Sequence, residues 1–194
     1  MADLTGQTLG KYRITERLGR GGMAEVYKAY QPGLERDVAL KVMHSHLAED
    51  EQFVGRFQRE AKAVAALHHA HIVQVYDFDQ ENNVYYMVME FIEGDTLKAR
   101  LNELHALNQR MPLEEVGSAM RALCSALDYA HNEGCIHRDI KPANVMVDEK
   151  RLVLTDFGIA SIVGATRFTA TGAMVGTPAY MAPEQAEGLA ADKL

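Results

Sequence analysis

The stretch CIHRDIKPANVMV, Cys135–Val147, sets five polar residues between two apolar ends: His137, Arg138, Asp139, Lys141 and Asn144. An acid, a lysine and an amide stand within six residues of one another. Eleven residues beyond Val145 comes Asp156-Phe157-Gly158, and Ala182-Pro183-Glu184 follows further on. Short extended pieces are expected at 145–148 and 152–155.

Working outward, the upstream half alternates like half-buried strands. Tyr12–Leu18 meets the turn Gly19–Gly22, and Glu25–Tyr30 continues as a second strand. The breaker Gln31-Pro32-Gly33 leads to a third strand at Asp37–Met43. Phe53, Phe57, Ala61, Val64 and Leu67 then recur at helical spacing, before strands at Ile72–Phe78 and Val84–Phe91. After Gly94 the pattern turns helical. Leu113, Val116, Met120, Leu123, Leu127 and Ala130 mark one face of a long helix, with Pro112 placed to start it and Gly134 to stop it. The fold class is α+β, with an antiparallel sheet first and helices after.

LGRGGMAEV, Leu18–Val26, joins one strand directly to another. Glycine lets backbone N–H groups approach phosphate oxygens, although glycine-rich hairpins without ligands are common. Ala24 stands where a G-x-G-x-x-G pattern has its third glycine. A dinucleotide-binding loop would open a helix, and Glu25-Val26-Tyr27-Lys28 reads as strand instead. Lys41 ends the apolar strand VALK, where a lysine either snorkels to solvent or meets a charge. Glu60 shares a helix face with Phe53, Phe57 and Val64, where a charge is costly unless paired, and Lys41 is its natural partner.

Taken in order, the glycine loop, VALK, Glu60, HRDIKPAN, DFG and APE resemble the eukaryotic-like (Hanks-type) serine/threonine protein kinases. The phrases GGMAEVYKA and GTPAYMAPEQ resemble the bacterial members, and the likeness runs from Lys11 almost to the end. It implies a two-lobe fold: an ATP-binding N-lobe over residues 11–92 and part of a C-lobe over 93–194. It also implies transfer of the γ-phosphate of ATP, with Mg²⁺, to Ser/Thr hydroxyls of protein substrates. Asp139 would orient the acceptor hydroxyl and take its proton, Lys141 would sit near the γ-phosphate, and Lys41, steered by Glu60, would contact the α- and β-phosphates. Asn144 and Asp156 would hold magnesium, without which carboxylates repel a polyphosphate.

The resemblance also places the nucleotide. Gly19, Gly21 and Gly22 would cover the phosphates, while Leu18, Val26, Ala39 and Met146 would sandwich the purine. Met89 matches the gatekeeper position, and Glu90 and Ile92 would offer backbone hydrogen bonds to the purine edge. For the apolar residues, ordinary core packing is the competing reading. Ser161, Thr166, Thr169, Thr171 and Thr177 lie between DFG and APE in a long loop expected over 159–177. Thr169 and Thr171 are candidates for regulatory phosphorylation through Arg138, with kinase–kinase dimers autophosphorylating in trans. His137 is expected to stack beside Phe157 rather than act as a base.

Composition agrees with a soluble globular chain: 47% hydrophobic and 24% charged residues leave no sign of disorder. A net charge of −7 argues against a broad nucleic-acid face. Cys124 and Cys135 form no disulfide framework or metal-ligand spacing, and a cytoplasmic location is expected for this stretch. No run reaches the roughly 20 apolar residues needed to span a membrane, though a longer parent protein could be anchored. HHAHIV, with His44 and His46 upstream, resembles a turn between helix and strand rather than a metal site. The family continues through further helices beyond APE, so the chain is expected to be an incomplete C-lobe with an open apolar face beneath Leu113–Ala130. On that expectation the alternatives are an impaired ATP-binding fragment or scaffold, and a small-molecule phosphotransferase. The threonine-bearing loop argues against the last, since a metabolite needs no shelf for a polypeptide.

Overall fold

The apolar alternation that begins at Tyr12 becomes a six-stranded antiparallel sheet. In the computed structural model, which describes residues 3–149, 151–157 and 178–186, its strands are β1 (Thr8–Leu9), β2 (Tyr12–Arg20), β3 (Ala24–Gln31), β4 (Arg36–Met43), β5 (Val75–Glu81) and β6 (Val84–Glu90). Their order across the sheet is β1-β2-β3-β4-β6-β5. Side chains at 52, 56, 60, 178 and 186 are outside the described set, as are Gly158 and the 159–177 loop with its threonines.

Two compact units divide the chain. One takes the residues up to Ala66 together with Gln74–Ile92, and the other takes Leu67–Val73 with the residues from Glu93 onward. In the first unit, one face of the sheet buries Tyr12, Ile14, Tyr27, Ala29, Val38, Leu40, Val42, Tyr86 and Val88, with Leu9 and the partly buried Leu4 closing over them. Burying each large apolar side chain stabilises the unit by about 1.5–3 kcal/mol. Helix α1 (Ser45–Ala48) precedes α2 (Glu51–Ala65). The Asp50 carboxylate accepts the Phe53 N–H at 3.1 Å, satisfying one orphan donor of the first turn. Phe53, Phe57, Ala61 and Val64 are buried, and Phe57 meets Phe78 of β5 with ring centroids 5.5 Å apart.

In the second unit, β7 (Asp95–Thr96), β8 (Val145–Val147) and β9 (Leu152–Leu154) form a three-stranded antiparallel sheet. Gly94 leads into β7 so close to β8 that a Cβ there would collide with the Val147 carbonyl. Helix α3 (Leu97–Ala106) is capped by Thr96, whose hydroxyl accepts the Ala99 N–H at 3.1 Å. Helix α4 (Leu113–Asn132) starts after Pro112 and stops before Gly134, whose φ of 77° permits the terminating turn from Cys135 N–H to the Ala130 carbonyl. Ala126 and Ala130 are buried, while Leu113 is 88% exposed and Met120 53%, so the apolar stripe is covered at its C-terminal end and exposed at its N-terminal end. Helix α5 (Pro183–Ala186) is a single turn.

Ile72–Gln74 depart from the strand expected over 72–78. Val73 N–H donates to the Leu154 carbonyl at 3.0 Å and Leu154 N–H to the His71 carbonyl at 2.9 Å, so Ile72 bridges β9 in parallel. The ring of His71 donates from Nδ1 to the Leu152 carbonyl at 2.8 Å. An apolar run has therefore been shared between two sheets, which alternation alone does not reveal. Among the described residues, no helix is long and apolar enough to cross a membrane.

Candidate active site

The loop ahead of β8 is built around a buried histidine. His137 Nε2–H donates to the Thr155 carbonyl at 2.8 Å, and its Nδ1 accepts the Asp139 N–H at 3.2 Å. Its ring lies 4.5 Å from the ring of Phe157. Burial pushes the imidazole below its ordinary pKa, against the raising effects of the Thr155 carbonyl and the charges of Asp156 and Asp139. Both nitrogens are committed and the neutral form is favoured, so His137 is a structural post, as its place beside Phe157 suggested.

Asp139 stands on that post. Its Oδ2 accepts from Lys141 Nζ at 2.7 Å and from Asn144 Nδ2 at 2.9 Å, and the same amide nitrogen donates to the Asp139 carbonyl at 2.8 Å. Asn144 is buried, and its own carbonyl accepts both the N–H and the hydroxyl of Thr155, at 2.9 and 3.1 Å. Those bonds continue the β8–β9 ladder, in which Val145 faces Leu154, and they set Asp156 one residue beyond the loop. Arg138 and Asp156 both adopt left-handed backbone, with φ of 65° and 59°. Such conformations cost on the order of 1 kcal/mol or more at a residue with a Cβ, and the surrounding bonds must hold them. The second unit thus brings Asp139, Lys141 and Asn144 into one hydrogen-bonded cluster, with Asp156 beside it.

In the first unit, cross-strand register puts the predicted nucleotide residues on one face of the sheet. Val26 faces Lys41, Lys28 faces Ala39, Ala39 faces Met89 and Lys41 faces Met87. This face is opposite the Tyr12–Tyr86 core. Glu90 N–H donates to the Gln74 carbonyl at 2.9 Å. Leu18 sits at a register shift of the β2–β3 pair and is half exposed. In the turn, Gly21 N–H donates to the Ala24 carbonyl at 2.8 Å. Among the described residues, the Gly22 and Met23 N–H groups have no bonded partner. The Glu60 side chain lies outside the described set, and with it the Lys41–Glu60 pair; Met146 belongs to β8 of the second unit.

Residues 12–193 fit the family model described as the protein kinase domain. The chain belongs to the protein kinase domain family. PrkC of Bacillus subtilis, a serine/threonine-protein kinase, is 40% identical over 95% of this chain, and the serine/threonine-protein kinase PknB of Mycobacterium leprae is 42% identical over 94%. The chain spans 28% and 30% of those two proteins' lengths. The crystal structure of the Mycobacterium tuberculosis PknI kinase domain aligns with 100% of this chain and 71% of that one, at 34% identity and a TM-score of 0.78. The likeness to bacterial Hanks-type serine/threonine kinases read from the motifs is thereby established.

In this kinase domain the donor chemistry suits magnesium. Asn144 donates from Nδ2 to Asp139, so a bound cation would meet its Oδ1, and Asp156 carries a carboxylate of the oxygen type that magnesium takes. Among the described residues, no cluster of three or more His, Cys, Asp or Glu forms a metal cage. A site completed by substrate phosphates needs none. Two residues escaped the sequence reading. His44, which follows β4, donates from Nε2 to the Gly21 carbonyl at 3.0 Å, and its N–H donates to the Met23 carbonyl at 2.9 Å. Gln185, buried, donates from Nε2 to the Arg138 carbonyl at 2.8 Å. Both act on distant backbone, and no local pattern marks them.

Proposed function

We propose that this kinase domain transfers the γ-phosphate of Mg-ATP to serine or threonine hydroxyls of protein substrates. The supporting observation is the Asp139 carboxylate held by Lys141 and Asn144. Phosphoryl transfer makes few covalent demands and depends on alignment and charge, and this cluster supplies both. Asp139 orients the acceptor hydroxyl and takes its proton. Lys141, already 2.7 Å from that carboxylate, stands near the γ-phosphate and offsets its charge. Asn144 and Asp156 would hold Mg²⁺, which when bound neutralises charge on the polyphosphate.

On the sheet, Lys41 contacts the α- and β-phosphates with Glu60 as its partner, and the amides of Gly19, Gly21 and Gly22 cover them. Leu18, Val26, Ala39 and Met146 sandwich the purine. Met89 is the gatekeeper, while the Glu90 carbonyl and the Ile92 backbone read the purine edge. Residues 11–92 act as the N-lobe and 93–194 as part of the C-lobe. Thr169 and Thr171 are phosphorylation sites that pair with Arg138, filled in trans within a kinase–kinase dimer, and this part of the protein works in the cytoplasm.

The test is transfer of labelled γ-phosphate from Mg-ATP to a generic protein acceptor. Asp139→Asn keeps the shape and removes the base, and should lower transfer at least about 100-fold. Transfer by Asp139→Asn at the wild-type rate would overturn the assignment. Binding of Mg-ATP without transfer by the wild-type chain would favour a nucleotide-binding scaffold.

A further inference from the structure

We infer that Gln185 is a positioning residue for Asp139, acting through the peptide group that joins Arg138 to Asp139. This rests on the proposed role of Asp139. That peptide is captured at both ends. Its N–H, from Asp139, donates to His137 Nδ1 at 3.2 Å, and its carbonyl, from Arg138, accepts Gln185 Nε2–H at 2.8 Å. The His137 end is fixed in turn by the Thr155 carbonyl and the Phe157 ring. The other end depends on a side chain 47 residues away.

The Gln185 amide has one allowed orientation. Its Oε1 accepts the Ala182 N–H at 3.2 Å, and an N–H can only donate, as the Arg138 carbonyl can only accept. Gln185 is 9% exposed, so water is a poor substitute for either partner. The device matters because Arg138 sits at φ 65°, a conformation costly for a residue with a Cβ, and the captured peptide fixes the other two torsions beside it, ψ of Arg138 and φ of Asp139. Freeing ψ of Arg138 and φ of Asp139 would loosen the backbone from which the Asp139 carboxylate is aimed at Lys141 and Asn144. Gln185 is adjacent to Glu184 of the APE triplet, so the turn after the threonine-bearing segment carries a direct bond to the backbone of the catalytic loop.

Gln185→Glu tests this with nearly no change of shape. The carboxylate still accepts from Ala182 but faces the Arg138 carbonyl with an acceptor in place of a donor. At pH 7.5, kcat should fall at least tenfold, while KM for ATP and the calorimetric affinity for Mg-ADP stay within twofold of wild type. As pH falls towards 5.5, the introduced carboxylate takes up a proton and the variant regains an O–H donor. The ratio of variant to wild-type kcat should then rise, which a purely structural loss would not produce. Gln185→Ala should show the same fall with no such recovery, and amide exchange at Asp139 should quicken at least tenfold in it while Thr155 is unchanged. Variants with wild-type kcat and Asp139 exchange, or with ADP affinity lost in step with kcat, would overturn the inference. A wild-type chain that binds Mg-ATP and transfers nothing would overturn the Asp139 assignment first and this inference with it.

Discussion

The glycine turn joins strand to strand and the catalytic loop joins helix α4 to strand β8, and the two are held in different ways. Leu18–Val26 runs along an open hairpin fixed mainly at its backbone, by Gly21 N–H to the Ala24 carbonyl and by the His44 N–H and ring to the Met23 and Gly21 carbonyls, with Arg20 paired to Glu25 at 3.4 Å. In Cys135–Val147, by contrast, buried side chains do the holding: His137, Asn144 and, from afar, Gln185. A loop that meets phosphate with amides needs access and some freedom. A loop that aims one carboxylate needs its atoms over-determined, because buried donors and acceptors are expensive to leave unpaired. On the proposed roles, mutations in the catalytic loop should show in stability and kcat, and mutations in the glycine turn in nucleotide affinity.

The strongest test of that contrast is His137→Phe. A phenyl ring fills the space beside Phe157 but leaves the Asp139 N–H and the Thr155 carbonyl without the imidazole, at about 1–3 kcal/mol each. Chemical denaturation at pH 8 should register that loss. The pH dependence adds a sharper signature. Burial holds the pKa of His137 below its ordinary 6.5, so the unfolded chain takes up the proton first. The histidine's full contribution is present above the unfolded value and is lost as pH falls from there through the folded value. The slope is up to about 1.4 kcal/mol per pH unit. Wild type and His137→Phe should therefore converge in stability between pH 7 and 5.5. Parallel curves would mean that the imidazole is not what couples this loop to pH.

The same difference explains what could be read from the sequence alone. The catalytic loop was legible because its residues are contiguous and its hairpin follows at once, so Asp139, Lys141, Asn144 and Asp156 could be named without coordinates. Val26, Ala39 and Met89 were named through the family resemblance, and it took the strand register to put them with Lys41 on one face of the sheet. His44 and Gln185 were not. Each donates from its side chain to a carbonyl 23 or 47 residues away, and composition and period carry no trace of such a bond. Ile72–Gln74 misled for a related reason, since an apolar run does not say which sheet it will join.

A smaller effect is expected at His44. Removing its ring in His44→Ala takes one hydrogen bond from the Gly21 carbonyl, a net contribution of about 1 kcal/mol, or roughly fivefold. The loss should appear in the affinity for Mg-ADP and in KM for ATP, with kcat near wild type, and His44→Gln should recover part of it by restoring an N–H donor. A fall in kcat at constant KM would break the contrast, because the glycine turn would then be serving the chemical step.

The smallest effect tests the claim that backbone carries the glycine turn. Gly22 has no φ in the left-handed range, and a Cβ built on it meets nothing within 4 Å. At Gly21 the same atom would come within 3.3 Å of the Ala24 carbonyl that Gly21 itself bonds. Ala24 already stands in the position of the pattern's third glycine and is buried in β3 without disturbing the hairpin. Gly22→Ala should therefore change the calorimetric affinity for Mg-ADP by less than about threefold, the equivalent of ~0.6 kcal/mol. Gly21→Ala should cost more, because the displaced Ala24 carbonyl is half of the bond that closes the turn. Equal losses at the two positions would show that bound phosphate presses on the loop from outside. The turn would then be shaped by its ligand rather than by the hairpin.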